Sequence, residues 1–342
     1  MREISIQKNE AGQRMDKFLA KYLNKAPKSF FYKMMRKKNI TLNGKKAVGN
    51  EQLKQGDVIK LFLAEETIEN FIDHSQFSKK KASSAKKQTA GKKVQLDILY
   101  EDEAAVFINK PVGMLSQKAS PTDTSLVEYF IDYLLENGKI TEEELHTFHP
   151  SVCNRLDRNT SGIVAAGKTL QALQGLSEMF RDRTLKKYYL CLVKGQVKEN
   201  QRIHGYLVKN EKTNKVTVSQ KKPAEQTKDG KEASAIDTEY KVLARNRETT
   251  LLEVHLITGK THQIRAHLAS IGHPIAGDYK YGNRSFNDAL KKEYGLRSQL
   301  LHAYRLEFPE NCEGDIKQLS GKIIKAPVPA LFERICKAQG VM

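Results

Sequence analysis

The sequence predicts an α+β protein with a small basic unit ahead of a larger, sheet-based one. Three observations carry this. A Lys-rich tract without a single acid, SKKKASSAKKQTAGKK at 78–93, divides the chain. Ahead of it, two amphipathic helical stretches are followed by short strand-like runs. Behind it, strands mostly follow strands, the pattern of a mixed, largely antiparallel sheet with helices packed on it. The divisions read as 1–74, a flexible linker at 75–93, and 94–342.

Each element has its own signal. In QRMDKFLAKYL, Met15, Phe18, Leu19, Tyr22 and Leu23 recur at helical spacing. A second helix is predicted from about Ser29, with Phe30, Phe31, Met34 and Met35 as its inner face. Asn43-Gly44 between two short apolar runs signals a hairpin, and KQGDVIKLFL adds a turn and a last strand. The linker tract carries seven Lys and almost nothing apolar, so it cannot bury enough surface to fold. Beyond it, VQLDILYEDEAAVFINKPVG reads as strand, acidic turn, strand and a Lys110-Pro111-x-Gly113 turn. Helices are predicted at 125–137 and near 169–181, then a strand in KKYYLCLVKG. Residues 198–234 are polar, turn-rich and undefined by pattern. Two long strands (IDTEYKVLA and TLLEVHLIT), a helix in THQIRAHLASIG and a late strand in LLHAYRLEF complete the order.

Composition restricts the partners. Lys and Arg number 58 against 40 Asp and Glu, a net charge of +18. The linker supplies seven of these charges, so the remainder is basic as well. Such an excess attracts a polyanion, nucleic acid first among them. No apolar run of about 18 residues and no signal-peptide pattern is found, so the expected location is the cytoplasm, without membrane association. The four cysteines are scattered with no Cys-x-x-Cys pair, which fits free thiols in a reducing compartment. Residues 14–46 hold eleven basic side chains and one acid, Asp16. With the apolar positions turned inward, Arg14, Lys17, Lys28, Lys33, Arg36, Lys37 and Lys38 must share the outer face, a phosphate-binding surface.

Familiar site chemistries are poorly supported. His262 and His267 are five apart with no intervening Glu, which excludes a zincin pattern. No glycine-rich phosphate loop or nucleophilic triad can be assembled. CNRLDRNTSGIVAAGKT, 153–169, puts Asp157 between Arg155 and Arg158 at a strand entrance. Alone it reads more readily as a surface turn with two ion pairs than as a carboxylate held in a cationic pocket. Arg265 lies on a predicted helix after a Gly-Lys-Thr turn; an arginine near Asp157 would hold its carboxylate charged for nucleophilic or proton-abstracting work. Tyr188 and Tyr189 alternate on a strand, so only one can line a cleft.

Two resemblances sharpen this. Residues 12–63 resemble the small RNA-binding module first described in ribosomal protein S4. NRLDRNTSGIVAAGKT resembles the catalytic motif of the RluA-type pseudouridine synthases, and INKPVGMLSQ, LKKYYLCLVKG and LITGKTHQIRAHLASIGHPIAGDYKYG resemble that family's other signatures, in its order. LLHAYRLEF and KAPVPALF match its C-terminal segments, so the resemblance spans 94–336. It implies a pseudouridine synthase domain behind an S4-like module. The implied reaction detaches uracil from ribose, turns it and rejoins it through carbon five, without cofactor or metal. Asp157 falls on the family aspartate, as nucleophile or as base toward the sugar. Arg265 falls on its arginine partner and Tyr189, rather than Tyr188, on the base-stacking tyrosine. Arg155, Asn154, Lys110, His262 and Gln263 fall where RNA contacts are expected, Arg155 at the flipped nucleotide. Asn154 replaces the family's usual His, which implies altered target choice rather than lost activity. The small Thr160-Ser161-Gly162 turn is expected to let RNA approach. Large-subunit ribosomal RNA is the expected substrate, transfer RNA the alternative, and the expected state a monomer. Two other readings remain: a catalytically silent RNA-binding or assembly factor, and a glycoside hydrolase. The latter would need two carboxylates flanking the bond, and the motifs point to Asp157 alone.

Overall fold

A computed structural model of the chain describes residues 1–7, 9–73, 94–142, 144–210, 213–222 and 233–342. The expected linker and residues 211–212 and 223–232 of the undefined 198–234 stretch lie outside the described residues.

The front unit opens with β1 (Arg2–Ser5), followed by α1 (Met15–Tyr22), α2 (Lys28–Arg36), β2 (Ile40–Leu42), β3 (Lys45–Lys46), β4 (Val58–Leu61) and α3 (Glu65–Asn70). Its antiparallel sheet runs β1-β4-β2-β3. The helical faces read from the sequence close on it: Met15, Phe18, Leu19, Phe31, Met34 and Met35 are buried together with Ile40, Ile59 and Leu61. Phe30 and Tyr22 pack at the rim. β1 and α3 have too few residues for a periodicity signal, and Arg2 ties them by bridging to Glu65 and Glu69.

The larger unit contains β5 (Ile98–Glu101), β6 (Ala105–Lys110), α4 (Leu126–Glu136), β7 (Ser151–Val152), β8 (Ser161–Gly167), α5 (Leu170–Asp182), β9 (Lys186–Lys194), β10 (Gln201–Asn210), β11 (Lys215–Ser219), β12 (Ser234–Arg245) and β13 (Thr249–Leu256). Then come α6 (Gln263–Ser270), α7 (Arg284–Tyr294), β14 (Leu301–Glu307), β15 (Ile323–Lys325) and α8 (Ala330–Ala338). The main path of the sheet is β11-β10-β12-β13-β9-β14-β8-β6-β5. Among the described residues every pairing in it is antiparallel except β14 with β8, so the mixed, mostly antiparallel sheet read from the sequence is the one observed. The undefined 198–234 stretch holds the β10–β11 hairpin and the start of β12.

Period-2 alternation along β9 divides the core. Tyr189, Cys191 and Val193 face a layer that includes residues of α4 and α6, while Leu190 and Leu192 face one that includes residues of α7 and α8. The four central strands β13, β9, β14 and β8 bring four distant stretches to one place. Tyr189 is in register with Val254 and with Ala303, and Ser161 with His302. The Asp157 loop, the start of β9 and the turn into α6 therefore converge on the same part of the sheet.

Candidate active site

The Asp157 loop is set by its exit into β8. Gly162 has φ +112°, and a Cβ there would lie 2.1 Å from the Ala303 carbonyl oxygen, so only glycine lets β8 approach β14 this closely. Ser161 Oγ pairs with His302 Nδ1 at 2.9 Å, and Gln299 Nε2 donates to Thr160 Oγ1 at 3.2 Å. Both small side chains are buried. The small residues of the Thr-Ser-Gly turn thus let it pack against β14, a role the sequence reading did not include.

The partner of Asp157 is neither arginine beside it in sequence. Arg265, from the first turn of α6, donates an Nη hydrogen bond to Asp157 Oδ2 at 2.8 Å. Its Nε and other Nη grip Asp278 Oδ2 and Oδ1 at 2.7 and 2.9 Å. Asp278 is 1% exposed and also accepts the Lys280 and Tyr281 backbone N–H groups. Burial raises the Asp278 carboxyl, but the Arg265 bonds outweigh it and hold it below the usual range. Burial likewise works against the Arg265 cation, and the two carboxylates outweigh it, so the guanidinium stays charged. Asp278 was missed by the sequence reading, although it lies within the matched GHPIAGDYKYG stretch. It is the second acid that the hydrolase alternative lacked, yet both its oxygens are occupied on the far side of Arg265. Arg158 turns away, its Nε bonded to the Gly113 carbonyl at 3.0 Å, and Arg155 is exposed at the rim of the cleft.

Three residues expected to contact RNA are engaged within the protein. Lys110 is fully buried, and its ammonium donates to the carbonyls of Pro111, Met114 and Arg158 at 3.0, 2.9 and 3.2 Å. An ammonium has three donors and here all three are used, so Lys110 staples the 111–114 loop to the Asp157 loop instead of reaching a phosphate. Burial draws it down to about 8, against the pull of the Asp157 charge. Asn154 spans its own hairpin: Nδ2 donates to Ile163 O at 3.2 Å and Oδ1 accepts Ala165 N–H at 2.8 Å. Gln263 is buried, its amide engaged by Thr258, Lys260, Asp237 and Thr238. It locks the turn that launches α6.

A cavity of about 100 Å³ opens over Asp157, lined by Arg155, Thr160, Tyr189, His262, Arg265 and Leu301 among others. Tyr189 faces it while Tyr188 stacks on His255 and Arg305 on the opposite face. Burial, then the Asp157 charge, pushes the Tyr189 phenol well above its ordinary value, so it remains protonated at neutral pH. His262 caps α6 with φ +53°. Burial lowers its pKa despite the Asp157 charge, leaving a neutral imidazole. The Tyr281 hydroxyl accepts the Val216 N–H at 3.0 Å and so is free to donate to His262 Nδ1, 2.9 Å away. That network assigns the remaining imidazole proton to Nε2, 3.9 Å from Asp157 Oδ1. The seven front-unit cations, Arg14 through Lys38, are all exposed as expected, although Arg14 is paired with Asp16.

One carboxylate fixed by a buried guanidinium, beside a protonated phenol in a small cleft, defines a single-carboxylate site. Comparison with known proteins agrees. The RNA pseudouridylate synthase family model matches residues 104–270. The ribosomal large subunit pseudouridine synthase C of Vibrio parahaemolyticus is 32% identical over 97% of this chain and 94% of its own. That of Salmonella typhi is 32% identical over 94% and 93%. The solved structure of human RNA pseudouridylate synthase domain containing 4 is 25% identical, with a TM-score of 0.54, over 72% of this chain and 94% of that one. The chain belongs to the RNA pseudouridine synthases, in the RluA-type family.

Proposed function

We propose that the protein isomerises uridines of large-subunit ribosomal RNA to pseudouridine, and that Asp157 is the residue acting on the ribose. The bond from Arg265 to Asp157 Oδ2 within the cleft carries this reading. It leaves Oδ1 as the oxygen available to substrate, either attacking the sugar or removing a proton from it. The glycosidic bond from C1′ to N1 breaks, the detached uracil turns, C1′ bonds to carbon five, and the proton on carbon five departs. Arg265, clamped by Asp278, orients the carboxylate through its bond to Oδ2. Tyr189 supports the base through its ring and a protonated hydroxyl, so a phenolate in the free enzyme has no part. Arg155, exposed at the rim, fills the space left by the extruded nucleotide. Residues 1–74 act as an S4-like RNA-binding domain whose exposed cations hold phosphates, with 94–342 as the catalytic domain. The ribosomal assignment draws on the printed names of the bacterial relatives.

Large-subunit RNA carrying tritium at uracil carbon five tests this directly. Wild-type protein is expected to release tritium to water. Asp157→Asn should release none while its RNA affinity stays within about threefold, since it removes charge from the site and none from the phosphate-binding face. Turnover by that variant would remove Asp157 from the mechanism.

A further inference from the structure

A lone acid on a phosphate-binding face works against RNA binding, so the contacts of Asp16 are informative. Its carboxylate accepts Arg14 Nε and an Arg14 Nη at 3.1 and 2.9 Å, and the Tyr32 hydroxyl at 3.0 Å. Tyr32 is on α2 with Lys28 four residues before it and Arg36 four after, so the three share one helix face. The tyrosine is 45% exposed, a large apolar ring left open among cations. One side of it is nevertheless packed. Gly49 has φ +97°, and a Cβ there would come within 3.1 Å of Tyr32 Cε1 and 2.9 Å of Met35 Cε. That loop is itself held: Gly49 O accepts the Asp16 N–H at 2.8 Å, and the Val48 and Gly49 N–H groups donate to Glu51 at 2.6 Å each. The ring is therefore fixed at its hydroxyl and along one side, with the remainder facing solvent.

We propose that Tyr32 is a stacking platform for an unpaired RNA base, held in place by Asp16 and Gly49 amid the phosphate contacts of Lys28, Lys33 and Arg36. The proposal rests on the reading of the front unit as RNA-binding. Charged side chains on phosphates give affinity without regard to pairing. A preset aromatic face adds stacking that only an unstacked base can use, at little further cost in side-chain entropy. The acid is tolerated because it positions both Arg14 and the ring.

The full-length chain can be titrated with a blunt RNA duplex and with the same duplex bearing a single-stranded tail, over a range of salt. Tyr32→Ala should weaken binding of the tailed RNA about tenfold, a loss within the roughly 1–3 kcal/mol per base of such stacks. Blunt-duplex binding should stay within about twofold and the salt slope unchanged, since no charge is lost. Tyr32→Phe, which keeps the ring but not its tether, should fall between. Lys33→Gln should lower the salt slope on both RNAs by about one. If Tyr32→Ala binds the tailed RNA like wild type, or weakens both RNAs equally, the stacking role is wrong even where Lys33→Gln behaves as expected. An unchanged slope in Lys33→Gln would overturn the RNA-binding reading of this face, and the stacking role with it.

Discussion

Lys110 shows how a residue's chemistry can be legible while its role is not. A lysine in a Lys-Pro-x-Gly turn of a basic protein reads as a phosphate contact, yet its three donors close on three carbonyls in the interior. Those carbonyls belong to the 111–114 loop and to Arg158, the residue after Asp157, so the staple fixes the loop that carries Asp157. Lys110→Met keeps the volume and removes every donor. It should cost at least about 1–3 kcal/mol for carbonyls left unsatisfied, read in denaturant unfolding. Turnover on tritiated RNA should fall far more than RNA affinity, because the loss falls on the Asp157 loop and not on the exposed cations. Equal losses in turnover and affinity would count against positioning. Asp278 makes the same point from the other side: its role comes from Arg265, thirteen residues away, and no local pattern announces it.

At the scale of elements, the seam between β8 and β14 decides where the Asp157 loop sits. Gly162→Ala would drive a methyl group into the Ala303 backbone. Backbone must move to relieve it, so a loss of about 1–3 kcal/mol or more is expected, with reduced turnover in the same preparation. The seam also carries a pH dependence. His302 is fully buried between Ser161 Oγ and the Ala326 carbonyl, and burial lowers its pKa to about 4 despite those bonds. The unfolded chain takes up this proton near pH 6.5 and the folded chain only near 4. Stability attributable to His302 is therefore intact above about pH 6.5 and is lost as pH falls toward 4. Between pH 7 and 5 the loss is about 2 kcal/mol. Unfolding of wild type and His302→Gln compared across that range should show the shallower pH dependence in the variant. Parallel curves would remove His302 as the cause.

At the scale of the whole molecule, charge and architecture divide the work. The front unit carries a face of exposed cations, and the sheet-based unit carries the cleft. The two touch directly, with Thr147 Oγ1 donating to Glu10 Oε1 at 2.7 Å and Asn9 Nδ2 to Glu144 Oε1 at 3.2 Å. Replacing Lys28, Lys33 and Arg36 together with Gln should lower the salt slope of RNA binding by about 2–3. Turnover at saturating RNA should change little, because none of the three lines the cavity over Asp157. A slope unchanged by the triple variant would move the phosphate contacts elsewhere on the molecule. Among the described residues no helix is long and apolar enough to cross a membrane.

The sequence by itself determined what depends on neighbours along the chain. Amphipathic spacing placed α1, α2 and α4, the Asn43-Gly44 signal placed the first hairpin, and the ordered motifs pointed to Asp157, Arg265 and Tyr189. Alternation along β9 put Tyr189 and Tyr188 on opposite faces, as the structure has them. Short elements such as β1, α3 and β15 carried too few residues for periodicity to register, and the polar pattern of 198–234 hid a hairpin. Only the tertiary structure decided which charges pair. Asp157 meets Arg265 across 108 positions of sequence rather than Arg155 or Arg158 beside it. Lys110, Asn154 and Gln263 proved to be buried or inward-bonded residues for the same reason: a polar side chain satisfies its donors with whatever the packed sheet brings within 3 Å, and sequence distance does not enter that choice.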